Sequence, residues 1–441
     1  MNDAIRQESP TVAAGAVIPT RMEEAALAKA FWRLIPLLGL LYFISFLDRV
    51  NVGFAALTMN QDIGLSAAAY GFGAGIFFLG YFLFEIPSNL MLERVGARRW
   101  IARIMVTWGI LSVAMAFVTG PVSFWIVRFL LGAAEAGFFP GIILYLTYWF
   151  PGAMRGRIMG WFLMALPLSN AIGAPFSTWL LGHSVFGLAG WQTMFVVEGL
   201  PAILLGLLVL RILPDKPAKA SWLDSGEAVA IEAVLVRDSQ AARHVGLRAG
   251  LTSPRVWHFA FIYFGIVIGL YGFGFWAPQM IKAFGDLSNQ QVGLLTTAPY
   301  LLVPLGMYLW GRRSDRQGER RWHLALAAFL GATGFAASAL TDDPMLKMAA
   351  FMVAAMGVYA ALPIFWTLPT AFLSGTAAAG GIALINSIGN LGGYFGPAAI
   401  GHLKDQFGFG LGLLVLAAGL ASAGGLALLV PRDRCAGATS R

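Results

Sequence analysis

The stretch that decides the fold occurs twice. It reads NLMLERVGARRW at residues 89–100 and GRRSDRQGERRW at residues 311–322. In both copies an acid, Arg, Gly, two further Arg and Trp occupy equivalent positions, displaced by 222 residues. The same displacement relates Leu65 to Leu287, Ser66 to Ser288, Gly71 to Gly293 and Pro175 to Pro397. Because this displacement is about half of the 441 residues, we predict an internal duplication.

The composition predicts a membrane protein. Hydrophobic residues make up 58% of the chain and charged residues 12%, and the mean hydropathy is +0.72. Apolar runs of about 20 residues, each long enough to cross a hydrocarbon layer as a helix, recur along the whole chain. We predict twelve spans, at residues 32–58, 68–92, 101–119, 122–147, 157–181, 191–213, 256–282, 290–311, 322–341, 345–371, 376–402 and 409–431. Six spans per copy give both copies the same orientation.

The positive charges predict the orientation. The net charge is +8, and Arg clusters follow the even-numbered spans, as in Arg94, Arg98, Arg99 and Arg103. The opposite loops hold only Lys282, Lys347 and Lys404. The positive-inside rule therefore places both termini and the central loop in the cytoplasm. The basic charge indicates topology rather than nucleic-acid binding.

Five segments follow from the spans. We predict cytoplasmic tails at 1–31 and 432–441, six-helix bundles at 32–213 and 256–431, and a cytoplasmic linker at 214–255. The linker is expected to be a flexible connection, in part an amphipathic helix, rather than a catalytic domain. No cleavable signal peptide is recognisable, so span 1 is expected to be a signal anchor. The single cysteine, Cys435, permits no intramolecular disulfide.

Enzyme and pump motifs are missing from the sequence. It contains no G-x-x-x-x-G-K-[S/T] and no H-E-x-x-H, and its five His are scattered without ligand spacing. We therefore predict neither an enzyme nor an ATP-driven pump, and no metal or cofactor. A sensor that binds a ligand without transporting it stays open as an alternative.

Five charged residues lie inside predicted spans: Asp48, Arg49, Glu85, Arg128 and Glu135. Each costs roughly 2.5–3.5 kcal/mol at mid-bilayer on the insertion scale, so each needs a partner or a function. Asp48 and Arg49 diverge by about 100° on a helix and should face different partners. An Arg fork suits a carboxylate, so Arg49 and Arg128 are candidates for binding a substrate. A carboxyl group can switch its proton as a cavity opens. The alternative is a structural ion-pair set between spans 1 and 4.

Polar residues in apolar spans are further candidates for contacting a substrate: Tyr81, Asn170, Asn386 and Asn390. Interhelical hydrogen bonding is the competing explanation. Aromatic residues such as Tyr271 could shape a cavity or simply pack. Glu85, just before Pro87, suggests gating rather than substrate binding, and Glu198 has no partner that the sequence reveals.

These residues resemble a known family. The loop Gly311-x-x-x-Asp315-Arg316-x-Gly318-x-Arg320-Arg321 resembles the signature of the major facilitator superfamily; the first copy departs from it at Asn89 and Glu93. The blocks FLDRVNVGFA, FEIPSNLMLERVGARRW, RFLLGAAEAGFFPG and VVEGLPAI resemble its anion:cation symporter branch, which includes bacterial sugar-acid, tartrate, phthalate and hydroxyphenylacetate permeases.

The resemblance implies an all-α fold of twelve transmembrane helices in two pseudo-symmetric six-helix bundles. It also implies that Asp48 and Glu135 carry protons, that Arg49 binds the anion and that Arg128 tunes one of the acids. Gating by charge contacts is expected of Glu85 and of the repeated loops, through Glu93, Arg94, Arg98, Asp315, Arg316 and Arg320. The expected function is uptake of a small organic carboxylate with H⁺, in preference to Na⁺, by a monomer in the bacterial inner membrane.

A proton-antiport exporter of an organic anion or drug-like compound is the alternative. Such members often carry a glycine-rich Gly-Pro motif in span 5, which here reads SNAIGAPFSTW, with Ala174 between Gly173 and Pro175. This departure favours symport. The sequence does not identify the carboxylate.

Overall fold

A computed structural model of the chain describes residues 20–241, 252–372 and 375–431. Within these ranges the chain forms α-helices and two short 3₁₀ helices, Met115–Phe117 and Pro217–Lys219. The α-helices are α1 Arg21–Asp62, α2 Ala67–Val95, α3 Ala97–Ala114, α4 Pro121–Glu135, α5 Phe138–Thr147, α6 Gly152–Leu163, α7 Ala165–Leu181, α8 Gly190–Ile212, α9 Ser225–Ala241, α10 Pro254–Lys282, α11 Asn289–Leu301, α12 Val303–Gln317, α13 Arg321–Ala339, α14 Pro344–Phe372, α15 Gly375–Asn390 and α16 Gly392–Leu428.

The predicted twelve spans are confirmed. Eleven segments of the described ranges are long and apolar enough to cross a membrane, and the last, Gly380–Leu428, has 49 residues, about twice what a crossing needs. Gly408 interrupts it with φ 68° and ψ −167°. The chain folds back there, since a Cβ on Gly412 would lie 2.9 Å from the Ile400 side chain. Span 11 therefore ends, and span 12 begins, at Gly408.

Spans 4, 5 and 8 each consist of two helices, α4 with α5, α6 with α7, and α11 with α12. The break in span 4 follows Glu135, where Gly137 adopts the left-handed φ of 85°. Pro140 has no N–H to continue the hydrogen-bond ladder through this turn. The span predicted at 122–147 is present as Pro121–Thr147, but Glu135 ends its first helix instead of lying within one continuous helix.

Helix α1 begins eleven residues before the predicted span. Thr20 and Glu23 form a capping box, which fixes the start at Arg21. Residues 21–31 of the predicted N-terminal tail therefore belong to α1. Residues 1–19 and the predicted tail 432–441, with Cys435, lie outside the described residues.

The two halves meet at duplicated glycines. A Cβ on Gly71 of span 2 would lie 2.6 Å from the Pro397 carbonyl oxygen of span 11, and one on Gly293 of span 8 would lie 2.8 Å from that of Ala174 in span 5. We call the end of the bundle with the loops after odd-numbered spans the odd-loop face, and the opposite end the even-loop face. Backbone contact at these glycines closes the odd-loop face.

The described part of the linker packs against the first half. Trp222 stacks on Trp149 with ring centroids 5.5 Å apart, and Lys29 of α1 pairs with Glu227 of α9 at 2.7 Å. Hydrogen bonds also join Tyr145 to Pro214 and Arg98 to Asp215, and ion pairs join Arg155 to Asp238 and Glu23 to Arg237. Residues 214–241 are therefore docked, where the sequence suggested a flexible connection.

Candidate functional site

Arg49 lies at the centre of the molecule, between the two halves. The side chain is 4% exposed and forms an ion pair with Glu135 of span 4. Its Nη1 donates a hydrogen bond of 2.6 Å to the Tyr271 hydroxyl in span 7. Ser45, one turn earlier on α1, donates to Glu135 Oε1 at 2.7 Å. Three spans from both halves thus converge on one guanidinium.

Aromatic rings surround that guanidinium. Its Cζ lies 5.3 Å from the ring centroid of Phe77, 5.4 Å from that of Tyr81 and 5.8 Å from that of Tyr271. Such contacts hold a cation in an apolar setting and fix its plane. The Nε of Arg49 has no hydrogen-bond partner among the described residues. A donor therefore stays free for the planar, two-point binding of a carboxylate.

Asp48 faces away from this site. Its carboxylate accepts hydrogen bonds from Trp108 Nε1 at 2.8 Å and from the Ser112 hydroxyl at 3.3 Å, both in span 3. The divergence expected for adjacent helical residues therefore separates Asp48 from Arg49. The ion pair that ties span 1 to span 4 is formed by Arg49 and Glu135 alone.

Arg128 contacts span 2 rather than an acid. Its Nη2 donates to the Ala74 carbonyl at 3.1 Å and its Nε to that of Gly73 at 3.4 Å, and the guanidinium lies 5.0 Å from the Phe77 ring centroid. No carboxylate of the described residues forms an ion pair with it. Arg128 is thus a buried cation held by carbonyl dipoles beside an aromatic ring that also contacts Arg49.

Two of the predicted polar residues join the halves. Asn386 Nδ2 of span 11 donates to Glu85 Oε1 of span 2 at 2.7 Å. Asn170 Nδ2 of span 5 donates to the Tyr359 hydroxyl of span 10 at 3.0 Å. Asn390, one turn after Asn386, is also buried. The interhelical hydrogen bonds offered as the competing explanation therefore exist for Asn170 and Asn386, between the two halves.

The repeated loops stay within their own halves. Asp315 pairs with Arg320 at 2.5 Å, and the backbone N–H of Arg98 donates to Asp215 of the linker at 2.9 Å. Other predicted gating residues of these loops are exposed, namely Glu93, Arg94 and Arg316. With the odd-loop face closed, the described residues form no charge contacts between these loops and the opposite half.

Sequence reasoning missed several partners: Ser45, Trp108, Ser112 and Tyr359. One signal could have found Ser45, because it precedes Arg49 by four residues and shares its helix face. Tyr271, named only as an aromatic candidate, is displaced from Arg49 by the repeat length of 222 residues. The duplication thus places the two at equivalent positions on facing spans.

Two six-helix halves around a buried charged centre define a membrane transporter. The profile of the Major Facilitator Superfamily matches residues 38–286 and 280–439. The chain belongs to this superfamily of transporters and is not an enzyme.

Relatives and a solved structure support that assignment. A "Putative tartrate transporter" of Agrobacterium vitis is 51% identical over 408 residues, covering 92% of this chain and 90% of the relative. A "Quinolone resistance transporter" of Acinetobacter baumannii is 44% identical over 390 residues, covering 88% and 90%. A bacterial homologue of the human lysosomal transporter Spinster, in an inward-facing and unoccupied conformation, superposes with TM-score 0.72 at 17% identity, covering 94% and 97%.

Proposed function

We propose that the protein takes up a small organic carboxylate together with protons, by alternating access, across a bacterial inner membrane with both termini in the cytoplasm. The observation that carries this proposal is Arg49, a buried guanidinium with a free donor between the halves, paired with a carboxylate that an anion can displace. The 51% identity to a relative named for tartrate transport supports the same substrate class.

Competition for Arg49 couples the anion to a proton. An arriving carboxylate takes the place of Glu135 on the guanidinium. Glu135 is then left buried without a cation, a costly state that binding a proton relieves. Arg128 adds a second positive charge near the site. Arg49 and Arg128 therefore balance the charge of the bound anion. Glu135 takes up a proton when the anion binds.

Asp48 is the second proton carrier. Its partners, Trp108 Nε1 and the Ser112 hydroxyl, are hydrogen-bond donors. An indole N–H can only donate and cannot coordinate Na⁺. This pocket therefore suits a carboxyl that exchanges a proton better than a sodium site.

The remaining predicted residues orient the substrate or gate its access. Tyr81, Asn170, Asn386 and Asn390 line the interface and offer hydrogen bonds to the rest of the anion. Glu85 and Asn386 join the halves toward the even-loop face, so this contact breaks when that face opens. Contacts made by the repeated loops in other states would then set the balance between access states.

Uptake of labelled acids into proteoliposomes tests the proposal. The panel is tartrate, galactonate, glucarate, phthalate and 4-hydroxyphenylacetate, each with and without an outside-acid gradient. We expect one acid to accumulate and its accumulation to collapse with a protonophore. Equal uptake with and without the gradient for every acid would contradict proton symport of this substrate class.

Asp48→Asn tests the proton carrier. Asparagine keeps the size of the side chain and cannot exchange a proton. We expect exchange of labelled for unlabelled substrate to persist while accumulation driven by the pH gradient falls well below that of the wild type, because a coupled proton is lost. Full accumulation by Asp48→Asn would remove Asp48 from the coupling mechanism.

Export by proton antiport is the second candidate, and the 44% identity to the quinolone resistance transporter favours it. An antiporter accumulates substrate in vesicles that are acidic inside, whereas a symporter needs acid outside. Comparing the two gradients with one substrate, or with a labelled quinolone, distinguishes the directions.

A further inference from the structure

A second buried acid lies beside Asp48, and the mechanism above does not use it. Glu198 of span 6 is 1% exposed, and its Oε1 accepts a hydrogen bond of 2.6 Å from Ser177 of span 5. The next residue, Gly199, would bring a Cβ within 3.0 Å of the side chain of Ser112, the residue that donates to Asp48. Spans 1, 3, 5 and 6 thus enclose both acids in the first half.

Part of this cluster has unused hydrogen-bonding capacity. Glu198 Oε2, Asn51 Oδ1 and Asn51 Nδ2 form no hydrogen bond of standard geometry, although Asn51 is fully buried and its amide lies next to Glu198. Asn51 follows Asp48 by three residues and lies beside Glu198. Buried polar atoms without partners are rare and call for an explanation. We name Asp48, Asn51, Ser112, Ser177 and Glu198 the acid cluster.

Neither acid of the cluster has a cation. The hydrogen-bond partners of Asp48 are Trp108 and Ser112, which are neutral, and neither Asp48 nor Glu198 forms an ion pair among the described residues. The partners that face Glu198 from spans 1 and 5 are Asn51 and Ser177, which are neutral. Two neighbouring carboxyls without a cation cannot both stay ionised when buried. With the odd-loop face closed, the cluster must therefore hold at least one proton.

We propose that Glu198 binds a co-transported proton in partnership with Asp48, within a proton compartment of the first half that is separate from the anion site. Asn51 Nδ2 supplies the donor that an ionised Glu198 needs after release, and its Oδ1 accepts from the protonated form. The anion stays on Arg49, on another face of α1. This inference rests on the proposed proton symport.

The test is the number of protons per substrate in Glu198→Gln. A glutamine fills the same space and cannot release a proton. With a pH gradient of one unit and no membrane potential, each coupled proton raises the accumulation ratio about tenfold. We expect Glu198→Gln to accumulate about tenfold less substrate than the wild type, with one proton fewer per substrate and an unchanged rate of substrate exchange.

Glu232→Gln is the matched control, since it makes the same substitution at an exposed position of the linker helix α9, away from the acid cluster. Its accumulation ratio under the same pH gradient should equal that of the wild type. A wild-type ratio in Glu198→Gln would overturn the role of Glu198. A wild type that accumulates nothing under the gradient would instead contradict the proposed symport.

A second measurement does not depend on folding of the glutamine variant. Dicyclohexylcarbodiimide modifies protonated carboxyls in apolar surroundings, and mass spectrometry quantifies the modification of Glu198 in the wild-type protein. We expect labelling to fall as pH rises across the range in which uptake operates. Labelling that stays constant over that range would show that Glu198 never releases its proton and would overturn the proposal.

Discussion

Arg49 and Glu135 form an ion pair that is more useful for switching than for stability. A buried pair roughly offsets the cost of removing its charges from water, whereas removing one partner strands the other. Replacing Glu135 with a substrate carboxylate keeps Arg49 paired, so the exchange costs little. Under the proposed exchange, Glu135 and the anion compete for Arg49, so affinity is expected to depend on whether Glu135 carries a proton.

Glu135→Gln removes this competitor. We expect the variant to bind the substrate severalfold more tightly than the wild type near neutral pH. Affinity of the wild type should rise as pH falls, because protonation frees Arg49, and affinity of the variant should stay flat over the same range. Equilibrium binding of labelled substrate to purified protein at several pH values measures both.

Ser45→Ala is the control for that experiment, since it removes a hydrogen bond to Glu135 and keeps the ion pair. Its affinity should retain the pH dependence of the wild type. A pH dependence in Glu135→Gln as steep as that of the wild type would place the competing proton on another group.

Breaks and glycines in individual helices position Glu135 and set how closely the two halves approach. The break after Glu135 aims the end of α4 at Arg49, and the glycines of spans 2 and 8 allow backbone contact near the odd-loop face. Small residues are favoured where membrane helices approach closely, because dispersion contacts then replace lipid contacts. The seam between the halves is therefore tight at one face, and opening it requires the helices to separate there.

Gly71→Leu should hold this seam open. A side chain at Gly71 would meet the Pro397 carbonyl and the Gly401 backbone, neither of which can move alone. We expect a shift toward the form open at the odd-loop face, seen as faster alkylation of a cysteine at Ala67 by a membrane-impermeant maleimide, and transport slowed at least tenfold.

Gly39→Leu is the matched control, because a Cβ there meets nothing within 4 Å. Alkylation and transport should match those of the background protein. Unchanged alkylation in Gly71→Leu would show that glycine contact at this position does not keep the face closed.

At the scale of the whole molecule, the described part of the linker is attached to the first half. The contacts of residues 214–241 described above are all made to residues of that half. The hydrogen bond from Lys29 lowers the pKa of Glu227, so this pair contributes to docking at neutral pH and is lost only as pH falls through the lowered pKa. Alternating access should therefore leave these contacts intact.

Cross-linking tests this rigid-body assignment. In a Cys435→Ser background, Lys29→Cys with Glu227→Cys joins the linker to span 1, and Glu85→Cys with Asn386→Cys joins the two halves. We expect transport to continue after oxidation of the first pair and to stop after oxidation of the second, with recovery on reduction. Loss of transport after oxidation of the first pair would show that the linker must move relative to the first half.

The sequence by itself determined the duplication, the twelve spans, the superfamily and the buried charges that matter. The composition and the repeat of 222 residues predict the spans and the duplication, and the resemblance of the motifs predicts the superfamily. None of these predictions needs knowledge of packing. It also predicted that Asp48 and Arg49 face different partners, since that follows from helix geometry alone.

Only the tertiary structure decided which partner each charge has. Spans that are apolar on nearly all sides carry no clear signal of which face meets which neighbour. The contacts of Arg49 with Tyr271, of Arg128 with carbonyls and of Glu198 with Ser177 depend on how the helices rotate and where they break. Those rotations result from packing across the whole bundle, so no local pattern in the sequence records them.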